Sequence, residues 1–463
     1  MFEQFTTSSE EITPEIAIKA IKWNEDKNIK RLEKLRNYYL GKQSISARQT
    51  NSGSNNQITI NHAKYIVDTN IGYLLGNPVD YNILVEQFEK PADEILREFK
   101  TQTINDLDTE IAKNSAIAGV HYEYIYANED SEPKSAEIDA RNIVLIRNNR
   151  MTLDKIGAVI YSPVFDDSGA IKEYNAIIVD NKQITEGKLD KSRGKFTPAE
   201  TREHFFGEVP VVEYRNNAEF QGDFEQVISA IDAYNLLQSD RVNDKEQLVD
   251  AILAFYGMDF TPQQAQDLKA GRIISNIPSN GKIEFLTKSL NEGDTDILRQ
   301  SLERDIHKIS MTPNMSDENF VGNSSGVALR YKLLAFEQNT KNKERYFEKG
   351  LLERFRIYNA FLKTKRNTAE IPMIEIDVIF KRNLPTNDLE ISQMINNLAG
   401  SVDKATLISQ LSFVKDAQAT IDKAEKEEAE RADNGDDISD TKDFTAPTIE
   451  EIEADKKRTE GEQ

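Results

Sequence analysis

The chain has 463 residues, with 58 lysines and arginines against 79 aspartates and glutamates, and its formal net charge is −21. This charge argues against a cationic sleeve for DNA and against a polybasic membrane anchor. With no cysteine, the chain has no disulfides, thiolate metal sites or cysteine nucleophiles. No apolar run reaches the ~18 residues of a membrane span, and the acidic opening MFEQFTTSSEE does not resemble a secretion signal. We therefore expect a cytoplasmic or assembly-borne protein of about two to three domains.

The N-terminal residues predict two helices joined by a flexible loop. The first helix has Thr13 as its N-cap, Pro14 at its first position and Gly41 as its terminator. The stretch ISARQTNSGSNNQ that follows has almost nothing to bury, which is typical of a flexible loop. The second helix spans 61–76 and is capped by Asn61. Its predicted buried stripe is Ala63, Val67, Ile71 and Leu74.

Residues 120–215 predict an antiparallel sheet, because short runs rich in Ile, Val, Tyr and Phe alternate with turns such as FDDSGAIKEY. One long helix is then predicted over 223–255, with Val227, Ile231 and Tyr234 opening its apolar stripe. A second helix follows a short-stranded, turn-rich insert, so this region predicts a projecting arm with a tip. The apolar stripe of that second helix is Leu298, Leu302, Ile306 and Ile309.

A long helix is predicted from Val327 to about Lys365, and it is unusually basic. Residues 326–366 carry 11 Lys and Arg against 4 Asp and Glu, a net +7 inside an acidic chain. Two interpretations stay open. The helix is either a nucleic-acid surface or a face that packs on acidic neighbours inside the protein.

The chain lacks the sequence signatures of a nucleotide hydrolase or a zinc enzyme. Gly281-Lys282 continues as Ile-Glu, so no phosphate-binding loop with its Ser or Thr for magnesium is present. The histidines lie far apart and form no H-E-x-x-H pair. The sequence therefore predicts no cofactor and no metal.

One strand nevertheless resembles a nuclease site. Within IPMIEIDVIFKRNLP, the side chains of Glu375, Asp377 and Lys381 share one face, as the metal-binding carboxylates and lysine of a nuclease do. The alternative is simple strand alternation, with these polar residues in solvent. In that case Ile374, Ile376, Val378 and Phe380 bury the other face.

The C-terminal part predicts helices over 387–430 and then an acidic tail. Residues 425–463 hold 15 acidic and 6 basic residues and have little to bury, which is typical of a disordered, solvated segment. The tail sequence DNGDDISD lacks the ordered spacing of a calcium-binding loop.

Three stretches in one order carry a family resemblance. They are QITINHAKYIVDTNIGYLLGNPVDY at Gln57–Tyr81, GEVPVVEYRNN at 207–217 and MSDENFVGNSSGVALRYKLLAFE at Met315–Glu337. Together they closely resemble the portal proteins of tailed bacteriophages, specifically the siphophage type of Gram-positive hosts. IDVIFKRNLPTN fits the same pattern, and the resemblance covers residues 10–430.

The resemblance implies an α+β fold, a portal-type ring subunit with a mixed α/β wing, stem helices, a small β-containing clip and a helical crown. The implied divisions are an N-terminal wing region at 1–222, a first stem helix at 223–255, a clip at 256–291, a second stem helix at 292–312, a tunnel loop at 313–325, a long wing helix and return strand at 326–386, a crown at 387–430 and an acidic disordered tail at 431–463.

The resemblance also gives meaning to the loop at 313–325, which in the family narrows the channel around DNA. Its candidate residues are Asn314, Asp317, Glu318, Asn319, Phe320, Asn323 and Ser324. The loop has no lysine or arginine, which suits a sliding contact, because each neutralised phosphate would strengthen binding. Further candidates are Arg299, Glu303 and Lys308 for the channel face of the stem, and Arg272 and Lys282 for the clip surface that meets the terminase.

The implied function is that of a structural conduit and not of an enzyme. It is a homo-oligomeric ring, usually of twelve copies, at one capsid vertex, through which double-stranded DNA passes without sequence specificity during packaging and ejection. The implied partners are the terminase large subunit, the major capsid and scaffolding proteins, whose procapsid the ring nucleates, and a head–tail adaptor, with no membrane partner. The protein would reside in the virion, and in the host cytoplasm during assembly.

Three other functions remain as alternatives. The chain could be another virion structural subunit of the tail or connector, a metal-dependent nuclease using Glu375, Asp377 and Lys381, or a DNA binder acting through its basic helix. Affinity that falls steeply with salt would mark the last of these.

Overall fold

The structure is a computed structural model that describes residues 2–49, 54–190, 194–249, 252–256, 282–286, 292–315, 331–382, 388–411, 414 and 417–433. The chain divides into two compact units, Met1–Asn383 and Leu384–Gln463. Within the described ranges, no helix is both long and apolar enough to cross a membrane.

Helices and strands are both abundant, which confirms the predicted α+β class. The helices are α1 (Pro14–Asn24), α2 (Lys30–Tyr39), α3 (His62–Leu75), α4 (Glu89–Thr101), α5 (Ile104–Ala118), α6 (Ile228–Val249), α7 (Glu292–Ile309), α8 (Leu334–Arg366), α9 (Asp388–Leu398), α10 (Lys404–Ile408) and α11 (Ala417–Asp433). A π-helical turn, Glu25–Ile29, joins α1 to α2.

The strands form several sheets. They are β1 (Phe5–Thr7), β2 (Asp80–Ile83), β3 (Val120–Ala127), β4 (Pro133–Ile138), β5 (Ile143–Asn148), β6 (Lys155–Phe165), β7 (Ile171–Val179), β8 (Gln183–Asp190), β9 (Lys195–Glu203), β10 (Val211–Arg215), β11 (Ile252–Tyr256), β12 (Lys282–Leu286) and β13 (Ile376–Ile379). The largest sheet has six strands in the order β1-β5-β6-β7-β8-β9, and only its β1–β5 pair is parallel. The other sheets are β10-β3-β4, β11-β12 and β13-β2.

Local sequence signals at the N-terminal helices are confirmed. The Thr13 side chain accepts a hydrogen bond from the Ile16 N–H, and the Asn61 side chain accepts one from the Lys64 N–H, so both act as N-caps. Gly41 follows the end of α2 with φ of 80°, the left-handed conformation that glycine adopts readily. The stripe predicted on α3 is buried throughout.

The main core lies where α8 packs against α3, α4 and strand β10. Gly350 permits a close approach of α8 to β10, because a Cβ at this position would lie 2.4 Å from the ring of Tyr214. A smaller core forms where α1 covers the six-stranded sheet, through Ala17, Ala20 and Ile21.

Several sequence predictions are wrong in detail. The long helix predicted over 223–255 ends at Val249, and Ile252–Tyr256 is strand β11, paired with β12. Short apolar runs do not distinguish a buried helix from a strand, and here the backbone of the run pairs with β12. The chain also contains α4 and α5, which the sequence analysis does not predict.

The strand predicted before residue 385 is shorter than expected. Only Ile376–Ile379 pairs with β2, and a 3₁₀ turn precedes it. Ile376 is buried and Val378 and Phe380 pack partly on the core, but Ile374 lies in the turn and is 81% exposed.

Candidate channel elements

The first described residues after α7 are fastened to helix α3. The Tyr65 hydroxyl donates to the Pro313 carbonyl at 2.9 Å, and the Met315 N–H donates to the same hydroxyl at 3.1 Å. The Asn314 side chain donates to Glu303 Oε1 at 2.9 Å. The start of the predicted tunnel loop is therefore tied to two helices.

A pair of histidines lies beneath this anchor. The rings of His62 and His307 are 5.8 Å apart and nearly perpendicular, and His307 Nδ1 lies 3.0 Å from the Thr312 carbonyl, to which it donates. Burial, and then the nearby charge of His307, lowers the pKa of His62 to about 4, and burial also lowers the pKa of His307. Both rings are therefore neutral at pH 7.

The candidate stem residues do not form one face. Arg299 donates to Asp296 and to Glu303, both at 2.8 Å, and the bond to Asp296 is the main reason why its pKa is raised. Glu303 in turn holds Asn314, so the structure brings three of the candidates together. Lys308 is exposed and lies about 180° around the helix from Arg299, since each residue turns by roughly 100°.

The apolar stripe predicted on α7 is covered only in part. Ile306 is fully buried and Leu302 packs partly on the core, but Leu298 is 51% exposed and Ile309 is 50% exposed. Ile297 is exposed as well. A single copy of the chain therefore leaves apolar surface on its second candidate stem helix uncovered.

Helix α6 has a buried polar face that the sequence analysis missed. We call residues 54–60 the strap. Its N–H groups at residues 60, 58 and 56 donate to the side chains of Asn235, Ser239 and Asn243 at 2.9, 3.0 and 2.8 Å. Alternate residues of the strap thus meet every fourth residue of a helix.

Further bonds to α6 come from residues that precede the strap. Asp232 accepts from Tyr38 and Ser44, and Arg48 pairs with Asp240 at 2.6 Å. The stretch predicted as a flexible loop, 45–57, therefore bonds to α6 through Arg48 and Asn56, and the prediction is wrong at these residues. The sequence analysis did not detect this polar face, because isolated Asn and Ser residues on a helix resemble residues exposed to solvent.

Several basic side chains of α8 form ion pairs with acidic residues of the same chain. Lys343 bonds to Asp223, Arg356 pairs with Glu208 at 2.6 Å, and Arg366 pairs with Glu98 at 3.0 Å. These contacts favour the second interpretation of the basic helix, a face that packs on acidic neighbours.

The most deeply buried member of this helix is Arg354. Its guanidinium lies 2.6 Å from Asp108 and 2.8 Å from Glu123, and the three side chains are almost completely buried. Tyr214 also donates to Glu123 at 2.7 Å. This cluster joins α5, β3, β10 and α8 in the main core.

The nuclease-like face lies on the outer side of the β13–β2 pair. Asp377 and Lys381 are exposed, Glu375 is half-buried, and Lys381 pairs with Asp80 at 2.7 Å. Within the described part of the chain, no three His, Asp or Glu side chains cluster as metal ligands. This arrangement corresponds to ordinary strand alternation.

Several candidates lie outside the described residues. Of the tunnel loop these are Asp317, Glu318, Asn319, Phe320, Asn323 and Ser324. Of the clip candidates, Arg272 lies outside, while the backbone of Lys282 opens β12 and pairs with Tyr256. The assignments of these residues stay predictions.

Residues 18–434 match one family model, and the proteins of that family are structural components of the phage virion, not enzymes. The chain belongs to this family, described as phage portal protein, SPP1 Gp6-like. This finding confirms the resemblance predicted from the sequence and removes the nuclease alternative.

Individual relatives agree with the family. The chain is similar to the portal protein of Bacillus phage SPP1, with 24% identity over 90% of this chain and 84% of the relative. It is also similar to the portal protein of Clostridium phage phiCD119, with 26% identity over 81% of this chain and 84% of the relative.

Solved structures with lower similarity include two from gene transfer agent particles. One is described as the neck of an empty particle computed with C6 symmetry; it has a TM-score of 0.43 and 10% identity, and the match covers 78% of this chain and 88% of that one. The other is described as the virion of a native particle; it has a TM-score of 0.40 and 13% identity, and the match covers 74% of this chain and 87% of that one.

Proposed function

We propose that this chain assembles into a ring of twelve copies at one vertex of a phage capsid, and that double-stranded DNA passes through the ring during packaging and ejection. The ring nucleates the procapsid with the major capsid and scaffolding proteins. It docks the terminase large subunit during packaging, in the host cytoplasm, and a head–tail adaptor afterwards. Membership of the portal family over residues 18–434 supports this proposal.

The proposal assigns a part to each region. The wing is residues 1–222 with the helix and return strand at 326–386, the stem is 223–255 and 292–312 with the strand β11 at the end of its first part, the clip is 256–291, the tunnel loop is 313–325, the crown is 387–430 and the tail is 431–463.

The observation that carries the proposal is the uncovered apolar side of α7. Leu298 and Ile309 are each about half exposed, although Leu302 and Ile306 of the same apolar stripe pack on the core. Apolar surface of this kind is typically covered by a partner, and side-by-side packing in a ring covers it with the same helix region of the next copy.

The same proposal gives the polar candidates their roles. We expect the tunnel loop, beginning at Asn314, to contact DNA without holding it, and its anchor on Tyr65 and Glu303 fixes where the loop begins. Arg299 and Glu303 are retained as stem candidates together, Lys308 as a separate candidate on the other side of the helix, and Arg272 and Lys282 as terminase contacts.

The test is the mass and symmetry of the purified full chain, by light scattering and negative-stain class averages. Twelve copies of the 52.7 kDa chain give a particle of about 630 kDa with a central hole. We expect Ile309→Asp to reduce the assembled fraction at least about tenfold, because a charge replaces apolar contact surface.

The matched control is Ile374→Asp, which alters an isoleucine that is even more exposed but lies in the wing. It should assemble like the unmodified chain. A chain that stays monomeric at every concentration, or an Ile309→Asp variant that assembles as well as Ile374→Asp, would contradict the proposal.

A further inference from the structure

A cavity of about 310 Å³ lies between helix α8 and strands β5, β6 and β10. Its volume is roughly ten times the ~30 Å³ that one water molecule occupies, so it has room for an entering side chain. Its charged lining consists of Arg147, Lys155, Arg215 and Lys349 against Glu213 and Glu353. Four cations and two carboxylates give the cavity an excess of two positive charges, inside a chain whose formal net charge is −21.

The two carboxylates are already engaged and cannot neutralise the excess. Glu213 accepts from Arg147 at 3.0 Å and from Arg215 at 2.6 Å, so one carboxylate serves two guanidinium groups. Glu353 accepts from Lys155 at 2.5 Å. One guanidinium charge and the ammonium of Lys349 are therefore left without a carboxylate of their own in the cavity.

The cavity also has a hydrogen-bond donor without a partner among the described residues. Arg147 Nε is buried and has no hydrogen-bond partner among the described residues. Lys349 is exposed at the cavity, where its ammonium lies 5.0 Å from the centre of the Tyr346 ring. Partly buried cations with unused donors are stabilised by an anion whose oxygen atoms enter the same space.

We propose that this cavity receives an acidic side chain of a second copy of the chain, which makes it part of a contact between copies. The inference rests on the proposed ring. A carboxylate is the matching group, because the chain carries 79 acidic residues against 58 basic ones and every neighbouring copy presents an acid-rich surface. The pairing also relieves the repulsion between copies that each carry a large negative charge.

The decisive experiment uses the full chain in two isotopic forms, ¹⁴N and ¹⁵N, mixed in equal amounts and assembled. A zero-length carbodiimide reagent then joins lysines only to carboxylates in direct contact, and mass spectrometry reads the isotope on each side of the link. We expect Lys349 to be linked to an Asp or Glu of the other isotopic form. Assembled particles in which Lys349 links only within its own chain would overturn the inference and leave the proposed ring intact.

Variants give an independent measurement. Lys349→Glu places a carboxylate at the mouth of the cavity and should raise the concentration for half-assembly at least about tenfold, with a weaker salt dependence. Lys363→Glu is the matched control, because Lys363 is exposed on the same helix and bonds to Glu370 away from the cavity. Equal assembly of the two variants would also overturn the inference, whereas a wild-type chain that never assembles would refute the ring itself.

Discussion

Replacing Arg354 with methionine should destabilise the unit Met1–Asn383 more than any surface change on the same helix. The guanidinium is completely buried between Asp108 at 2.6 Å and Glu123 at 2.8 Å, and its removal leaves two buried carboxylates without a cation. Breaking a buried ion pair by removing one partner costs about 3–5 kcal/mol of the free energy of unfolding. Methionine fills much of the same space, so the cost comes from charge and not from a cavity.

The loss should depend on pH in a definite direction. Burial already raises the pKa of Asp108 to about 6, although Arg354 lowers it. Without Arg354 the pKa of Asp108 rises further. When a carboxyl group has a higher pKa in the folded state than in the unfolded state, the folded state loses stability as pH rises through that higher pKa. The deficit of Arg354→Met relative to the wild type should therefore be larger at pH 8 than at pH 5.

Urea unfolding followed by circular dichroism, at one fixed protein concentration, measures both effects. Arg356→Met is the control, because its pair with Glu208 is surface-exposed and should contribute less than about 1 kcal/mol. Adding Asp108→Asn and Glu123→Gln to Arg354→Met should recover a large part of the loss. A deficit no greater than that of Arg356→Met, or one that is the same at both pH values, would refute this account of the cluster.

Two further predictions concern helix α3 and the joint between the strap and α6. His62 is buried with a pKa of about 4, against 6.5 when unfolded, so its neutral form supports folding above pH 6.5 and that support is lost as pH falls toward 4. As pH falls from 6.5 to 4, the free energy of unfolding of His62→Gln, measured by urea unfolding, should therefore decrease by up to about 3 kcal/mol less than that of the wild type. Parallel curves of unfolding free energy against pH for the two proteins would contradict the assignment. Ser239→Ala removes the acceptor for the Ile58 N–H, so hydrogen exchange should accelerate at Ile58 in the strap while the core strand β3 keeps its protection; unchanged exchange at Ile58 would show that the bond is unimportant.

The parts of the fold that could be predicted from sequence are those set by near neighbours. Thr13 and Asn61 cap helices through bonds to residues three positions away, and the alternation in the sheet follows from the pleat of each strand. The boundary after Val249 could not be predicted, because Ile252–Tyr256 becomes a strand only through its partner β12, about thirty residues further on.

The buried polar residues were beyond sequence reasoning for a related reason. Arg354 reads as one of many charges on a basic helix, and its partners Asp108 and Glu123 lie on elements more than 200 residues earlier. The family motif predicts a tunnel loop at 313–325, whereas the contact of Tyr65 with Pro313 could be found only from the fold, which brings α3 beside the end of α7.

The hydrogen bonds between the strap and α6 connect two backbones that advance by different distances per residue. Four helical residues advance about 6.0 Å, and two residues of a fully extended segment advance about 6.7 Å, so two such repeats differ by about 0.7 Å at each step. If the middle contact is in register, the outer two are displaced in opposite directions by that amount. The acceptors follow this pattern, with the short side chain of Ser239 in the centre and the longer side chains of Asn235 and Asn243 at the ends. The longer side chains at the two ends thus reach the displaced N–H groups, and the three bonds together fix the position of the strap along the helix.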